Sequence, residues 1–542
     1  MQVTFRGRPS KGCNKCRQRK VKCDEGQPIC ERCTKGGFEC TYRDEFDLLL
    51  RNQTTETAEK AKRKWRSRAK KLEERTSSSH ASPSTSSSSD PCDSPASRTT
   101  DCVPECSPPV DLDQSIYDLA TKRFLFDFVI PGGSQVPKTG FASFVLRIVD
   151  DMKPGTCIYH AFRATSLANF AGRSKSTHAA EMASKEYGKT IKLLGSYVSR
   201  PESLPPLQTL SSICLLSAYE ILATPYLTHG GSWQAHVNGS VALLNSLYSG
   251  GASGLEQLTE LFMHIIIQML INCMGFGNRP SIPLSTVDAF VRPKTMSYQV
   301  LSLLYKAADT IAEWRTAELD TNSQDSLVMA AMKMVTSTEI IDAEIEQWLA
   351  ERAPIWEEDI KECQKEQLPG WLKPLYDLPG APSQMRLASN LLIAQRYNLT
   401  RGTRIQLYAH TLNAIDVLIA SAKDDNDLEL WLETQLRCEL RVMQLIEEVL
   451  CSIYGHMTLP IRGKPAQKEV EDVPTLRVFM LLWPLYKVSM MLARRESLQQ
   501  RDTQGRRFWA RSILCWCRDE MGVKKCEAFV DNIDGKFGLT FS

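Results

Sequence analysis

Six cysteines stand within 28 residues, at Cys13, Cys16, Cys23, Cys30, Cys33 and Cys40. Their spacing is C-x2-C-x6-C-x6-C-x2-C-x6-C, and the first three map onto the last three with an offset of 17. Clustered thiols in a chain whose N-terminus, MQVTFRGRPSKGC, has no apolar leader-type stretch point to metal rather than disulfides. Tetrahedral all-sulfur coordination suits Zn2+. Six sulfurs fill the eight coordination positions of two four-coordinate ions only when two of them are shared. The repeat makes the shared ligands an equivalent pair, and Cys13 with Cys30 is the expected one. So short a segment has almost no core, so metal must supply the folding free energy, of order 10–16 kcal/mol per structural zinc.

Each half of the repeat needs a short helical turn, which brings both thiols of C-x2-C to one side, and an extended return for the third. The frame is symmetric but its charge is not. The first six-residue loop, Arg17-Gln18-Arg19-Lys20-Val21-Lys22, holds four cations. The second, Thr34-Lys35-Gly36-Gly37-Phe38-Glu39, holds one cation and one anion. The first half is therefore expected to face duplex DNA. Its short helix, starting near Asn14, would point its C-terminal end into the major groove. Arg19 and Lys20 are candidate base readers, because Arg and Lys pair with the O6 and N7 acceptors of guanine. Lys15, Arg17 and Lys22 are placed as phosphate contacts, which fix register without reading sequence. Pro28 shapes the turn between the halves.

This spacing, with a basic run in the first loop and a proline ahead of the fourth cysteine, resembles the fungal binuclear zinc-cluster (Zn2Cys6) transcription factors. The resemblance covers the cluster with no departure in spacing. It implies two Zn2+ per chain bridged by Cys13 and Cys30, and contact of Arg19 and Lys20 with a CGG triplet.

Charge is distributed to match. Residues 1–75 carry 21 Lys/Arg against 11 Asp/Glu, and the remaining 467 carry 45 against 52. A basic head on a mildly acidic body suits a polyanionic partner of the head. Four segments are expected: the Zn2Cys6 DNA-binding domain at 1–43, a basic linker at 44–75, a Ser/Pro-rich linker at 76–110 and a helical domain at 111–542. In the basic linker, Ala58, Ala61, Trp65 and Leu72 fall at heptad a/d positions, but Arg68 takes the intervening d. Homodimer formation through residues 56–75 and a solvated basic helix both stay open. The dense run Lys60, Lys62, Arg63, Lys64, Arg66, Arg68, Lys70 and Lys71 reads as a nuclear localisation signal, a phosphate strip, or both. The next linker holds twelve serines and six prolines in residues 76–109, too little apolar surface to fold, and is expected to be a disordered tether.

The body shows amphipathic helical periodicity with Pro/Gly breaks at Pro131-Gly132-Gly133, Pro201, Gly250-Gly251, Pro280, Pro369-Gly370 and Pro379-Gly380. Helices are expected over 115–130, 179–198, 206–223, 233–248, 256–274, 298–316, 387–422, 429–451 and 475–494. Sustained strand alternation is absent. Two apolar stretches are too interrupted to span a membrane: 261–274 holds His264, Gln268 and Asn272, while 478–492 follows Arg477 and contains Lys487. LQTLSSICLLSAYEIL (207–222), SWQAHVNGSVALLNS (232–246) and LLWPLYKVSMMLARR (481–495) resemble the fungal-specific transcription factor domain. That resemblance implies an all-α regulatory domain and names no ligand. HExxH, GxSxG, GxxxxGK[ST] and GxGxxG motifs are missing, so no enzyme is expected. His236 reads as a packed helix residue. The stripe His264, Gln268, Asn272 reads as hydrogen-bonded inside the helical core or facing water, in preference to a ligand lining. Asp424–Glu433 reads as a capped helix start in preference to an acidic activation segment.

The fold class expected is a small metal-held N-terminal cluster with two short helices plus a large all-α C-terminal domain. The function expected is a nuclear, zinc-dependent, sequence-specific DNA-binding regulator of RNA polymerase II transcription at CGG-containing sites. Its gene set would be metabolic or specialised-metabolite, and co-regulators would meet the body; no membrane partner is expected. The alternative is a zinc-stabilised protein- or RNA-interaction module without duplex sequence preference. The one-sided charge of the cluster argues against it.

Overall fold

The computed structural model describes residues 13–19, 21–24, 26, 30–38, 40, 112–129, 144–148, 152–198, 206–225, 231–249, 259–288, 295–320, 323–352, 356–461, 467–502 and 504–534. The chain divides into two units between Glu105 and Cys106. The basic segment 56–75, expected either to pair chains or to form a solvated helix, and the Ser/Pro-rich linker expected at 76–110 lie outside the described residues.

The first unit contains α1 (Asn14–Gln18) and α2 (Glu31–Gly36). Each starts directly after the first cysteine of a C-x2-C pair. Cys30 is the N-cap of α2, where its sulfur accepts from Cys33 N–H, and Gly37 ends the helix with φ 63°. That left-handed conformation suits glycine and closes the helix through its own N–H.

The second unit is mostly helical. In chain order it has α3 (Leu112–Phe128), α4 (Val145–Ile148), α5 (Cys157–Ser174), α6 (Thr177–Val198), α7 (Pro206–Ala223), α8 (Ser232–Ser249) and α9 (Thr259–Phe276). There follow α10 (Leu284–Val287), α11 (Met296–Leu319), α12 (Gln324–Arg352), β1 (Glu358–Glu362), α13 (Lys373–Tyr376) and β2 (Gln384–Ala388). The chain then forms α14 (Leu391–Ala420), α15 (Asp425–Thr458), α16 (Thr475–Arg494), α17 (Glu496–Arg501), α18 (Arg506–Asp519) and α19 (Lys525–Ile533). Neighbours in sequence pack together: α5 lies against α3, α6 and α7, α11 against α12, and α14 against α12, α15 and α16. The C-terminal pair α18 and α19 returns to pack on α16. One apolar core runs through the unit, from Phe124 in α3 to Phe529 in α19.

Helices α7 and α16 have the expected bounds, most of the others shift by up to three residues at an end, and α15 starts four residues before and ends seven residues after the expected 429–451. The helix expected from Leu387 is the larger departure. Residues 384–388 are a strand, paired antiparallel with β1 from Glu358↔Ala388 to Glu362↔Gln384. Helix α14 begins only after Asn390, whose Oδ1 accepts from the N–H groups of Leu392 and Ile393 at 3.1 Å each. An Asn cap satisfies backbone donors that have no partner within the helix, so the helix starts there. The hairpin sits directly on the α15 backbone: a Cβ at Gly455 would stand 2.5 Å from the Arg386 carbonyl oxygen. Arg401 of α14, 3% exposed, ties the hairpin down. It donates to Glu358 of β1 at 2.5 Å and to Glu448 of α15 at 3.0 Å.

Helix α16 is long and apolar enough to cross a membrane by length and composition, yet most of it is buried inside this unit. Its Arg477 is fully buried and donates to the His456 carbonyl at 2.6 Å and to the Leu459 carbonyl. Those carbonyls belong to the last turn of α15 and the residue after it, so the guanidinium completes that helix end.

Candidate metal centre and nucleic-acid interface

The six thiols converge in two overlapping tetrads. Cys13, Cys16, Cys23 and Cys30 form one, and Cys13, Cys30, Cys33 and Cys40 the other, with ligand atoms in each lying within 4.8 Å of one another. Cys13 and Cys30 are common to both, as the repeat requires of the bridging pair. Sγ–Sγ separations are 3.7 Å for Cys13–Cys30, Cys13–Cys33 and Cys16–Cys30. Cys13, Cys16, Cys30 and Cys33 are buried, while Cys23 and Cys40 are half-buried.

Backbone contacts repeat with the sequence offset. Cys16 N–H points at Cys13 Sγ and Cys33 N–H at Cys30 Sγ, both at 3.4 Å. Cys13 N–H donates to Cys23 Sγ at 3.5 Å, and Cys30 N–H to Cys40 Sγ at 3.4 Å. Val21 N–H to Cys16 O and Phe38 N–H to Cys33 O, each 3.0 Å, close the two helical turns in the same way. Amides aimed at sulfur stabilise thiolate over thiol. Burial acts in the opposite sense. It pushes Cys16 up to about 12 and raises Cys30 and Cys33. At Cys13 burial is outweighed by the Cys16 N–H and the adjoining thiols, which bring it down to about 6. Cys16, Cys30 and Cys33, pushed up in this way, ionise fully only against a cation, so metal binding and proton release are coupled. An all-sulfur donor set in tetrads fits Zn2+. The cluster binds two zinc ions through its cysteines, and Cys13 and Cys30, common to both tetrads, would be the ligands shared between them.

Asp24 links the two halves. Its carboxylate accepts from Glu31 N–H at 2.8 Å and from Arg32 N–H at 3.4 Å, and these bonds at the start of α2 hold its carboxyl below the usual range.

The candidate DNA contacts divide by what is described. Arg19 continues the turn of α1, its N–H donating to Lys15 O at 3.1 Å. Lys15 and Arg19 therefore share one helical face. Lys22 is exposed. Arg17 belongs to α1, but its side chain lies outside the described residues, as do Lys20 and Pro28 entirely. Phe38 is a residue that charge and cysteine spacing gave no reason to single out. It packs against the buried thiols, and its ring lies under Arg19, 4.2 Å from Cζ, and near Lys15, 5.5 Å from Nζ. Its signal is faint: a lone aromatic in the loop that holds a single cation.

The polar stripe of α9 is inside the core. Gln268 Nε2 lies 2.8 Å from His264 Nε2 and 3.3 Å from Ser217 Oγ, and Asn272 donates to Asn238 at 3.2 Å. His236 sits 3.1 Å from the Tyr187 hydroxyl and 3.9 Å from Glu220. The acidic start of α15 is a cap, with Asp424 Oδ1 accepting from Asp427 N–H at 2.8 Å.

Comparison with known proteins places this geometry. Residues 11–48 match the family model described as the fungal Zn(2)-Cys(6) binuclear cluster domain. Sterol uptake control protein 2 of Saccharomyces cerevisiae is 47% identical over 38 residues, 7% of this chain and 4% of that protein. Transcription factor lfc1 of Flammulina velutipes is 54% identical over 37 residues, 7% of this chain and 13% of that protein. C6 finger domain transcription factor hasF of Aspergillus fumigatus is 54% identical over 37 residues, 7% of this chain and 5% of that protein. The chain thus spans between 4% and 13% of the length of these curated relatives. No solved structure matches it. The thiol tetrads, their repeat and the matched family model agree: the N-terminal segment of this chain, residues 11–48, is a fungal Zn(2)-Cys(6) binuclear cluster domain.

Proposed function

We propose that the protein is a zinc-dependent, sequence-specific DNA-binding transcription factor acting in the nucleus on RNA polymerase II promoters. The observation that carries this reading is the pairing of a symmetric thiol frame with a one-sided charge: the first loop holds four cations and the second one. A merely structural zinc knot has no need of that asymmetry. Relatives whose names include "transcription factor" support it.

In this reading Arg19 and Lys20 contact guanine edges of a CGG triplet, while Lys15, Arg17 and Lys22 hold phosphates. One such module reads few bases, so the basic segment 56–75 is proposed to pair two chains and set half-site spacing. Residues 1–43 are assigned to DNA binding, 44–110 to linkers and 111–542 to regulation, with no enzymatic role. The resemblance of 207–222, 232–246 and 481–495 to a fungal regulatory domain supports the last assignment. Co-regulators would meet this body, and the gene set in view is a metabolic or specialised-metabolite one.

The test is selection of random duplex DNA by the zinc-loaded full-length chain, with a chelator control. Enrichment of CGG triplets that disappears on chelation is the expected result. Paired triplets at fixed spacing would support the dimer, and single triplets a monomeric reader. No enrichment with two zincs still bound would overturn the reading in favour of a protein- or RNA-binding module.

A further inference from the structure

The pseudo-two-fold frame pairs every position of the first half with one 17 residues later, and the pairing is also seen in the backbone. Val21 and Phe38 are such a pair: each donates its N–H to the carbonyl of the second cysteine of its C-x2-C, at 3.0 Å in both halves. Both side chains pack against the buried thiols. Their sizes differ in a way the metal frame does not require, because valine alone suffices for that packing on the first side. Phenylalanine projects further, and its ring reaches the cations of the other half. Arg19 Cζ stands 4.2 Å from the ring centroid and Lys15 Nζ 5.5 Å. Both lie within the roughly 6 Å over which a cation is drawn to an aromatic face.

The backbone makes room for this ring. Gly37 takes the left-handed turn that sends the chain from α2 back across the cluster, and a Cβ at Gly36 would run into the Phe38 ring. Two consecutive glycines thus leave room for an aromatic ring beside the helix end. The electronegative ring face holds Arg19 without neutralising its charge. A carboxylate in the same place would hold the arginine as firmly but cancel its attraction to DNA.

We propose that Phe38 is the positioning residue of the DNA-reading face: its ring fixes the Arg19 guanidinium, with Lys15 beside it, in the orientation that reads the base triplet. The inference rests on the DNA-binding reading above. It adds that the second half of the cluster, which carries few charges, sets the specificity of the first.

Three variants of the zinc-loaded full-length chain test it: Phe38→Leu, which keeps apolar volume against the thiols but has no π face, Phe38→Tyr, which keeps the ring, and Arg19→Ala. Zinc content and affinity for a CGG duplex and a scrambled duplex are measured across a salt series. The expected result for Phe38→Leu is two zincs retained, an unchanged salt slope and a CGG-to-scrambled affinity ratio reduced about two- to fivefold. Phe38→Tyr restores the ratio, and Phe38→Leu has no further effect on it in the Arg19→Ala background. Loss of zinc in Phe38→Leu, or equal weakening on both duplexes, would overturn the inference in favour of a packing role. An unchanged ratio, or failure of Phe38→Tyr to restore it, would overturn it as well. If the wild-type chain itself binds both duplexes equally, the DNA-binding reading falls and takes this inference with it.

Discussion

At the scale of the residue, the shared thiols carry the most weight. Cys30 lies in both tetrads, whereas Cys23 lies in one. Cys30→Ala should strip both zinc ions and unfold the head, and metal analysis of the purified variant checks this; two retained zincs would refute the bridge. Lys20→Ala should keep both ions but lose roughly 1–3 kcal/mol of discrimination between CGG and scrambled duplexes. Equal losses on the two would make Lys20 a phosphate contact. The cysteines were readable in advance because ligand spacing is a local property and a 17-residue repeat stands out by eye. Phe38 was not, because its meaning depends on Lys15 and Arg19, which reach it only once the metal has folded one half against the other.

At the scale of the element, the β hairpin shows where periodicity fails as a guide. β1, Glu-Asp-Ile-Lys-Glu, is mostly exposed and has no inward apolar residue at every second position. Its partner strand ran without a break into a helical pattern, and only the cap at Asn390 separates them. The anchoring is ionic and long-range, which no window of sequence displays. Arg401→Ala would leave Glu358 and Glu448, with side chains 8% and 14% exposed, to Arg386, which stands 3.0 Å and 3.8 Å from them. Leaving a buried charge wholly unpaired costs about 3–5 kcal/mol; with Arg386 still beside both carboxylates the loss should be smaller, but the thermal midpoint of the body should still drop. A midpoint within a degree or two of wild type would mean that water replaces the guanidinium. The long amphipathic helices were legible because each buries one face of a 3.6-residue period. For α15 the cap was legible too, since Asp424 precedes a run of first-turn acids.

At the scale of the whole molecule, the two units differ in what holds them. The head's buried apolar cluster consists of Cys13, Cys16, Cys30 and Cys33, and the body's core runs across almost all of its helices. Chelation should therefore abolish DNA binding while leaving most of the far-ultraviolet helical signal; collapse of that signal would show that the body depends on the metal. The body also has a pH sensitivity of its own. Burial brings His264 down to about 4 and, with nearby cations, His410 and His456 to about 3. In the unfolded chain these rings titrate near 6.5. Below that pH the unfolded state binds up to three more protons than the folded one at these rings, so stability falls as pH is lowered and is fully present above it. Thermal melts of the body should shift downward between pH 7 and pH 5, and a flat profile would contradict the burial of these rings.

Sharing Cys13 and Cys30 between two ions, as the overlapping tetrads allow, would also have a consequence for net charge. Two separate tetrathiolate zinc sites would need eight thiolates and carry a combined charge of −4. Six thiolates around two divalent ions carry −2. Bridging therefore removes two negative charges from the centre of a head proposed to approach a phosphate backbone. At about 10 Å in water each unit charge repels a phosphate by roughly 0.4 kcal/mol before screening. Ligand economy in the cluster thus lowers an electrostatic barrier that the five basic residues from Lys15 to Lys22 would otherwise have to offset.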